Sequence, residues 1–275
     1  MATSTREVWD YRALVANLAR RQLKSEYKRD FLGSAWSLLN PLLNLAILSL
    51  VFGTILAFGQ DIPPLAGRDS GVFALYLFAA LILFNQFRRT VLGSINALRG
   101  AAPLLRKVYF PPDVSLIAYT LVQMRQALFE GVILVAIIAF LGDLSPIMLL
   151  WPLLLPLMGM FSLGLGYLLA LLAAYYADVE YLVEHLMQLL FYLTPIIYPL
   201  SRFDENEPEV LGIGVTTWLA FNPLTSFVEI SRDLLYVQTW PDPIQLAIVL
   251  VLSPLSLFVG YNVFRVYGRD VTEVL

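Results

Sequence analysis

The run IMLLWPLLLPLMGMFSLGLGYLLALLAAY, residues 147–175, contains no Asp, Glu, Lys or Arg. About 20 apolar residues are enough for a helix to cross a bilayer, because the hydrocarbon is ~30 Å thick and each residue rises ~1.5 Å. The run is longer than this and predicts a transmembrane helix. Its continuous apolar character excludes a membrane β-barrel, whose strands alternate apolar and polar residues.

Five other segments have the same character. The six predicted spans are Leu38–Gly59, Val72–Phe87, Val114–Leu141, Ile147–Tyr175, Val183–Leu200 and Ile244–Phe264. The sequence therefore predicts an all-α integral membrane protein that forms one transmembrane domain over residues 1–275. Within it, residues 1–37 form an interfacial helix and lead into span one, 38–200 hold spans one to five, 201–243 form an outer hairpin, and 244–275 hold span six and a cytoplasmic tail.

The composition agrees with a polytopic membrane protein. Of 275 residues, 59% are hydrophobic and 14% are charged, whereas about a quarter of a soluble domain is charged. This balance excludes a disordered chain. There is no Cys and only one His, His185, so a structural zinc site lacks ligands and no metal site is expected. The net charge of −3 argues against nucleic-acid binding.

The distribution of cations predicts the orientation of the spans. If the amino terminus is cytoplasmic, 14 of the 18 Lys and Arg residues lie in inner segments and three, Arg68, Arg202 and Arg232, lie in outer segments. Arg125 is inside the third span. Lys and Arg favour the cytoplasmic side, so both termini are expected there. The first apolar run begins near residue 38 behind seven cations, and we expect no cleavable signal peptide.

Two extramembrane segments have helical patterns of their own. In residues 1–37, a face at 3- and 4-residue spacing consists of Val8, Tyr11, Val15, Leu18 and Gln22. This predicts an amphipathic helix in the inner interface, or a helix packed on a partner's surface. In the outer segment Ser201–Pro243, Asn222-Pro223 indicates a helix start, followed by Phe227, Ile230, Leu234 and Leu235 on one face. We interpret the outer segment as a hairpin that re-enters the outer interface, with packed surface helices as the alternative.

The two inner loops differ in charge. The loop from Arg88 to Pro112 is basic and has a predicted short helix around Pro103–Lys107, whereas the loop Tyr175–Glu184 has three carboxylates and no cation. Short helices with mixed apolar and charged residues are suited to docking a soluble partner, although ordinary solvated loop charge gives the same pattern.

The sequence lacks the motifs of an enzyme or nucleotide-binding protein. It has three lysines, none after a Gly, so a P-loop cannot occur, and GxSxG and HExxH are absent. Two ionisable residues in the third span, Arg125 and Glu130, are functional candidates. They are five residues apart, about 140° around a helix, so they do not stack, and each is expected to face another helix or a wet cavity. An interhelical network that only fixes packing explains them equally well.

Four stretches of the sequence, in order, resemble the ABC-2 type permeases that export polysaccharides. The first stretch matches at Lys24, Tyr27, Leu32, Gly33, Trp36 and Pro41. The second is Leu105–Pro111, the third combines Asp178–Val183 with Phe191–Pro199, and the fourth is Asn222-Pro-Leu with Glu229 and Arg232. Ala177 departs from the family, which often has Arg before the Asp. The similarity covers nearly the whole chain.

The resemblance implies a transport subunit and not an enzyme. The chain would be the membrane half of an inner-membrane exporter of lipid-linked polysaccharide such as O-antigen, teichoic acid or galactan. Two copies would form a channel, with a lateral opening between the first and fifth spans. Two copies of a separate ATPase, which would bind ATP and Mg²⁺, would dock on the inner loops.

The resemblance also assigns roles to residues. The group expected to attract the pyrophosphate headgroup of a polyprenyl-linked glycan comprises Arg20, Arg21, Lys24, Lys28, Gly33 and Trp36. The group expected to couple to the ATPase comprises Leu98, Arg99, Leu105, Arg106, Lys107, Tyr109, Asp178, Glu180, Glu184 and His185. The group expected to line the channel or its gate comprises Arg125, Glu130, Tyr192, Asn222, Glu229 and Arg232.

Three other functions stay open on the sequence. A multidrug or small-lipid exporter of the same superfamily would share this topology. A membrane-embedded glycosyltransferase or acyltransferase would need clustered carboxylates or His residues, and only scattered ones are present. An ion-coupled carrier without ATP would use Arg125 and Glu130 as relay residues.

Overall fold

The computed structural model describes residues 12–26, 36–55, 62–66, 70–105, 110–141, 144–200, 209–210 and 212–268. Several predicted site residues lie outside these ranges, namely Lys28, Gly33, Arg106, Lys107 and Tyr109. For Arg21, Lys24 and Leu105 the helical backbone is described but the side chain is not. The roles predicted for these residues stay predictions.

The described chain is almost entirely helical. The α-helices are α1 (Arg12–Glu26), α2 (Trp36–Leu48), α3 (Phe73–Leu105), α4 (Asp113–Leu141), α5 (Leu154–Tyr175), α6 (Asp178–Leu193), α7 (Val215–Ala220), α8 (Pro223–Arg232) and α9 (Pro243–Tyr267). A π-helix, Ser49–Ile55, continues α2, and another, Asp233–Val237, continues α8, while the 3₁₀ helix Pro146–Leu153 leads into α5. Two short strands, β1 (Glu209–Val210) and β2 (Ile213–Gly214), pair antiparallel with Glu209 opposite Gly214.

Among the described residues, four helices are long and apolar enough to cross a membrane. They are Phe73–Leu104, Asp113–Leu141, Pro146–Tyr175 and Pro243–Tyr267, which confirms the second, third, fourth and sixth predicted spans as apolar helices of sufficient length. The first predicted span corresponds to a shorter apolar helix, Leu39–Ile55. The fifth corresponds to α6, which ends at Leu193 because Pro195 disfavours helical backbone at Thr194. Spans one and five therefore stay predictions.

The prediction of a loop directly after Phe87 was wrong, because the chain there is helical. Helix α3 continues without a break from Phe73 to Leu105, so a separate short helix around Pro103 does not form. Arg88 and Arg89 do not stop the helix, because Arg88 is exposed and Arg89 is paired with Glu130. The chain from Arg88 to Ala102 contains no proline, and Pro103 falls only in the last turn.

Helix α3 is the central element of the fold. Every residue from Leu75 to Phe84 is buried, and α3 packs against α4, α5 and α8. Helices α5 and α9 approach so closely that a Cβ on Gly260 would lie 2.0 Å from the carbonyl oxygen of Gly164. Small residues permit such close helix contacts in membrane proteins. The Ser256 hydroxyl reinforces the contact by donating to the Phe161 carbonyl at 2.9 Å.

The amphipathic pattern predicted for the amino-terminal helix has a partner within the chain itself. Helix α1 packs against α4, and Val15 is buried in a cluster with Ala101, Phe110, Val114 and Ala118. Part of the apolar face is therefore covered by protein, which neither interpretation of this helix specified. Arg20, near the end of α1, is exposed.

The outer segment contains the helix that was predicted to begin at Asn222. Asn222 caps α8, since its Oδ1 accepts from the Leu224 backbone N–H at 3.1 Å. Eight of the ten α8 residues are buried, and the helix packs against α3 and α9. It is therefore part of the helix bundle and not a helix lying on its surface.

Candidate functional site

A polar cavity of about 480 Å³ lies between α2, α3, α4 and α6. Helix α2 contributes three residues, α4 contributes one aromatic residue and α6 contributes one carboxylate. The lining residues are Asn40, Pro41, Asn44, Asn85, Arg88, Arg89, Leu92, Gly93, Asn96, Tyr119 and Glu184. Polar side chains from helices that are distant in the sequence thus converge on one space.

Helix periodicity explains why α3 supplies so many of these residues. Asn85, Arg89, Leu92 and Asn96 recur at 3- and 4-residue spacing and therefore share one face of α3. The apolar residues of the same stretch, such as Phe87 and Val91, are buried in the core instead. Asn40 and Asn44 are four residues apart and lie on one face of α2 in the same way. Interpreting residues 88–112 as a loop concealed this stripe.

An ion pair joins α3 and α4 beside the cavity. Both terminal nitrogens of Arg89 donate to Oε1 of Glu130 at 3.0 Å, and Gln126 Nε2 donates to the same oxygen at 3.1 Å. Glu130 is only 1% exposed, so these donors replace the water that its side chain loses on burial. Glu130 therefore faces a partner on another helix, as expected. Arg125 is exposed, with its guanidinium 5.1 Å from the centre of the Phe129 ring, and does not join this pair.

The position of the aromatic ring in the cavity depends on a glycine. A Cβ on Gly93 would lie 2.0 Å from Cε1 and 2.4 Å from the hydroxyl oxygen of Tyr119. The ring therefore lies directly against the backbone of α3, which only a residue without a side chain allows at this position. Gly93 and Tyr119 together shape one side of the cavity.

Two predicted coupling residues contact each other about one helical turn away from the cavity residues Asn96 and Glu184. Arg99 on α3 forms an ion pair with Glu180 on α6, and its second terminal nitrogen donates to the Ala173 carbonyl at 2.9 Å. We call these contacts the inner clasp. Asp178, Glu184 and His185 are exposed on α6, whereas Leu98 is buried against Leu116, Leu163 and Tyr167. In this structure Leu98 contributes to packing between helices.

A second set of contacts, the outer clasp, joins α8 to the end of α6. The buried Arg232 side chain donates to Glu229 Oε1 at 2.8 Å and to the Ile196 carbonyl, and its guanidinium lies 3.8 Å from the centre of the Tyr76 ring. Asn222 Nδ2 donates to the Thr194 hydroxyl at 2.9 Å. Of the predicted gate residues, Arg232 thus contacts Glu229, and Asn222 and Arg232 each contact the chain just after α6, at Thr194 and Ile196.

Other predicted site residues lie apart from these contacts. Tyr192 is exposed on α6 and is not part of the outer clasp, although its backbone carbonyl accepts a hydrogen bond from Tyr198 at 3.0 Å. Trp36 is half-buried at the start of α2. Within the described ranges, no group of three or more His, Asp or Glu residues is arranged to hold a metal ion.

Comparison with known proteins gives consistent matches over nearly the whole chain. Residues 13–236 match the sequence profile of the ABC-2 type transporter family. The chain is 28% identical to the O-antigen export system permease protein RfbA of Myxococcus xanthus over 274 residues, with 99% of each chain covered. It is 24% identical to the RfbA permease of Klebsiella pneumoniae, with 95% of each covered, and 23% identical to the polysialic acid transport protein KpsM of Escherichia coli, with 96% of each covered.

Proposed function

This chain belongs to the ABC-2 type transporter family as a polysaccharide-export permease, and we propose that its cargo is a polyprenyl-lipid-linked glycan moved across the cytoplasmic membrane. The observation that carries the proposal is the similarity over almost the full length to two kinds of polysaccharide exporter, one named for O-antigen and one for polysialic acid. These names favour a glycan over a drug or small lipid. The chain is a transport subunit and not an enzyme.

We propose six spans with both termini in the cytoplasm. The four long apolar helices would be joined by α2 with its π-helical continuation as span one and by α6 as span five. The excess of cations in the inner segments supports this orientation. In it, the polar cavity and the inner clasp lie in the cytoplasmic half of the protein, while α8 and the outer clasp form a re-entrant hairpin in the outer half.

We propose that two copies of the chain associate with two copies of a separate ATPase, which binds ATP and Mg²⁺. Arg99 and Glu180 would link the two segments on which the ATPase docks, the end of α3 and the start of α6, so that movement of one reaches the other. The cations of α1 and of the segment that follows it would attract the lipid headgroup. The polar cavity supports a lateral opening between spans one and five, since both α2 and α6 contribute to its lining.

Deletion of the gene in its native host tests the proposal. We expect glycan to disappear from the cell surface and lipid-linked glycan to accumulate on the cytoplasmic side of the membrane. Both effects should be reversed by the wild-type gene. Immunoblots of intact cells, compared with chemical analysis of extracted lipids, measure the two quantities.

A matched control separates transport from synthesis. A strain with an inactivated P-loop lysine in the partner ATPase should show the same accumulation, because export would then lack its energy source. Surface glycan that persists in either strain would contradict the proposal. Loss of surface glycan without accumulation of its lipid-linked form would point to a biosynthetic role instead.

A further inference from the structure

We propose that the polar cavity binds a sugar ring of the transported glycan, through its carboxamide side chains and not through the phosphate of the lipid. The proposal rests on the proposed function, since it takes a lipid-linked glycan as the cargo. It assigns a recognition role to residues outside the group of cations expected to meet the headgroup.

The hydrogen-bonding capacity of the lining matches hydroxyl groups. Asn40 and Asn44 on α2, with Asn85 and Asn96 on α3, place four carboxamides around the cavity. Each carboxamide has two N–H donors and an acceptor oxygen, and each sugar hydroxyl also donates and accepts. A phosphate ester offers only acceptors. In the described part of the chain these four amides make no hydrogen bonds with other residues, which leaves them available to a ligand.

The charges around the cavity favour a neutral ligand. Arg89 is paired with Glu130, and among the described residues of the lining the other charged ones are one cation, Arg88, and one anion, Glu184. Sites that bind phosphate groups usually combine several cationic donors without a facing carboxylate, because the bound group carries a negative charge. Glu184 would repel a diphosphate but can accept hydrogen bonds from sugar hydroxyls.

The shape of the cavity also fits a sugar. Its volume of about 480 Å³ falls within the range of about 300–1,000 Å³ that is typical of small-molecule sites. Tyr119, fixed against Gly93, provides an aromatic ring beside the amides. An aromatic surface next to polar groups complements a sugar ring, which has apolar C–H faces and a polar rim of hydroxyls.

The position of the cavity identifies which part of the glycan it would meet. Asn40 and Asn44 lie four and eight residues after Trp36, the first residue of α2, and the segment whose cations are expected to attract the lipid headgroup precedes α2 in the sequence. A ligand whose phosphate stays at that membrane boundary would place its first sugars in the cavity. The cavity would therefore recognise the sugars closest to the lipid.

Binding measurements on the purified full chain in nanodiscs test this assignment. The probes are lipid-linked glycan extracted from cells that lack this permease, the same glycan released from its lipid by mild acid, and undecaprenyl diphosphate. The test variants are Asn44→Leu and Asn96→Leu, on α2 and α3. Both residues are exposed, so these substitutions leave the fold intact.

We expect each substitution to weaken binding of the intact and released glycan about tenfold, the effect of losing one or two hydrogen bonds. Binding of undecaprenyl diphosphate should change less than about twofold. The matched control is Asn262→Leu on α9, because the amide of Asn262 donates to the Phe258 carbonyl at 2.6 Å and lies outside the cavity. This control should bind all three probes like the wild type.

Two results would overturn the proposal while leaving the proposed function intact. An equal loss of undecaprenyl diphosphate binding would make the cavity a phosphate site, and unchanged binding of all probes would remove it from recognition. Failure of the wild-type chain to bind the intact lipid-linked glycan would instead contradict the proposed function itself.

Discussion

Arg99 and Glu180 lie 81 residues apart in the sequence and form an ion pair that joins the carboxyl-terminal part of α3 to the first turn of α6. Both side chains are partly exposed, and exposed ion pairs contribute only about 0–1 kcal/mol to stability. An ion pair that adds little stability but connects two helices expected to contact the same partner is suited to transmitting movement.

Breaking the Arg99–Glu180 ion pair of the inner clasp should reduce export of glycan more than it reduces the amount of folded protein. Arg99→Gln and Glu180→Gln are each expected to reduce surface glycan several-fold, while the amount of protein in the membrane stays close to that of the wild type. Exchange of the two charges in the double variant Arg99→Glu/Glu180→Arg should restore part of the export. Single variants that export normally would remove the inner clasp from coupling.

Removal of the Glu130 carboxylate should destabilise the protein. Glu130→Ala leaves Arg89 without its partner, and breaking a buried pair costs about 3–5 kcal/mol. We expect the free energy of unfolding to fall by about 3 kcal/mol, at the low end of this range. The Arg89 side chain is 30% exposed, so water can hydrate the guanidinium in part once its partner is removed. Thermal unfolding in detergent measures the change. Arg125→Gln on the same helix is the control and should change stability by less than about 0.5 kcal/mol.

The outer clasp should depend on the shape of arginine and not on charge alone. A lysine ammonium cannot reach Glu229, the Ile196 carbonyl and the Tyr76 ring together, because it lacks the planar fork of the guanidinium. Arg232→Lys should therefore lower the stability by about 1–3 kcal/mol. Tyr76→Leu should cost more than Tyr76→Phe, which keeps the ring under the cation. Equal losses of stability in Tyr76→Leu and Tyr76→Phe would contradict a stabilising contact between the Arg232 guanidinium and the aromatic ring.

Close packing of α5 and α9 should make Gly260 intolerant of a side chain. Gly260→Ala places a Cβ 2.0 Å from the Gly164 carbonyl oxygen, and overpacking of this kind typically costs about 1–3 kcal/mol. The matched control is Gly100→Ala in α3, where the added Cβ meets nothing within 4 Å. That substitution should stabilise the helix by about 0.5–1 kcal/mol, since alanine is the better helix former. Similar effects at both positions would refute the close contact.

Local signals in the sequence predicted part of this structure well. Asn222 before Pro223 correctly predicted the start of α8, because the cap and the proline act on the adjacent turn. The long apolar runs correctly predicted four helices, since their pattern needs no knowledge of other segments. The burial of Phe227, Ile230, Leu234 and Leu235 also followed from their spacing.

Features that depend on distant residues were not predicted. The helix of the second span was predicted to end too early because the partner of Arg89 is Glu130, 41 residues further along the chain. The polar cavity was missed because it exists only where four helices meet. The sequence signal for the cavity is the 3- and 4-residue spacing of polar residues in α3, at Asn85, Arg89 and Asn96, with Leu92 between them. This spacing is informative only if residues 88–105 are helical.

The most direct test of the account is transport of lipid-linked glycan by this chain and its partner ATPase in proteoliposomes. We expect glycan to cross the membrane only when both proteins and hydrolysable ATP are present, and we expect the purified chain alone to hydrolyse no ATP. Translocation by the chain without the ATPase, or ATP hydrolysis by the chain alone, would contradict the account.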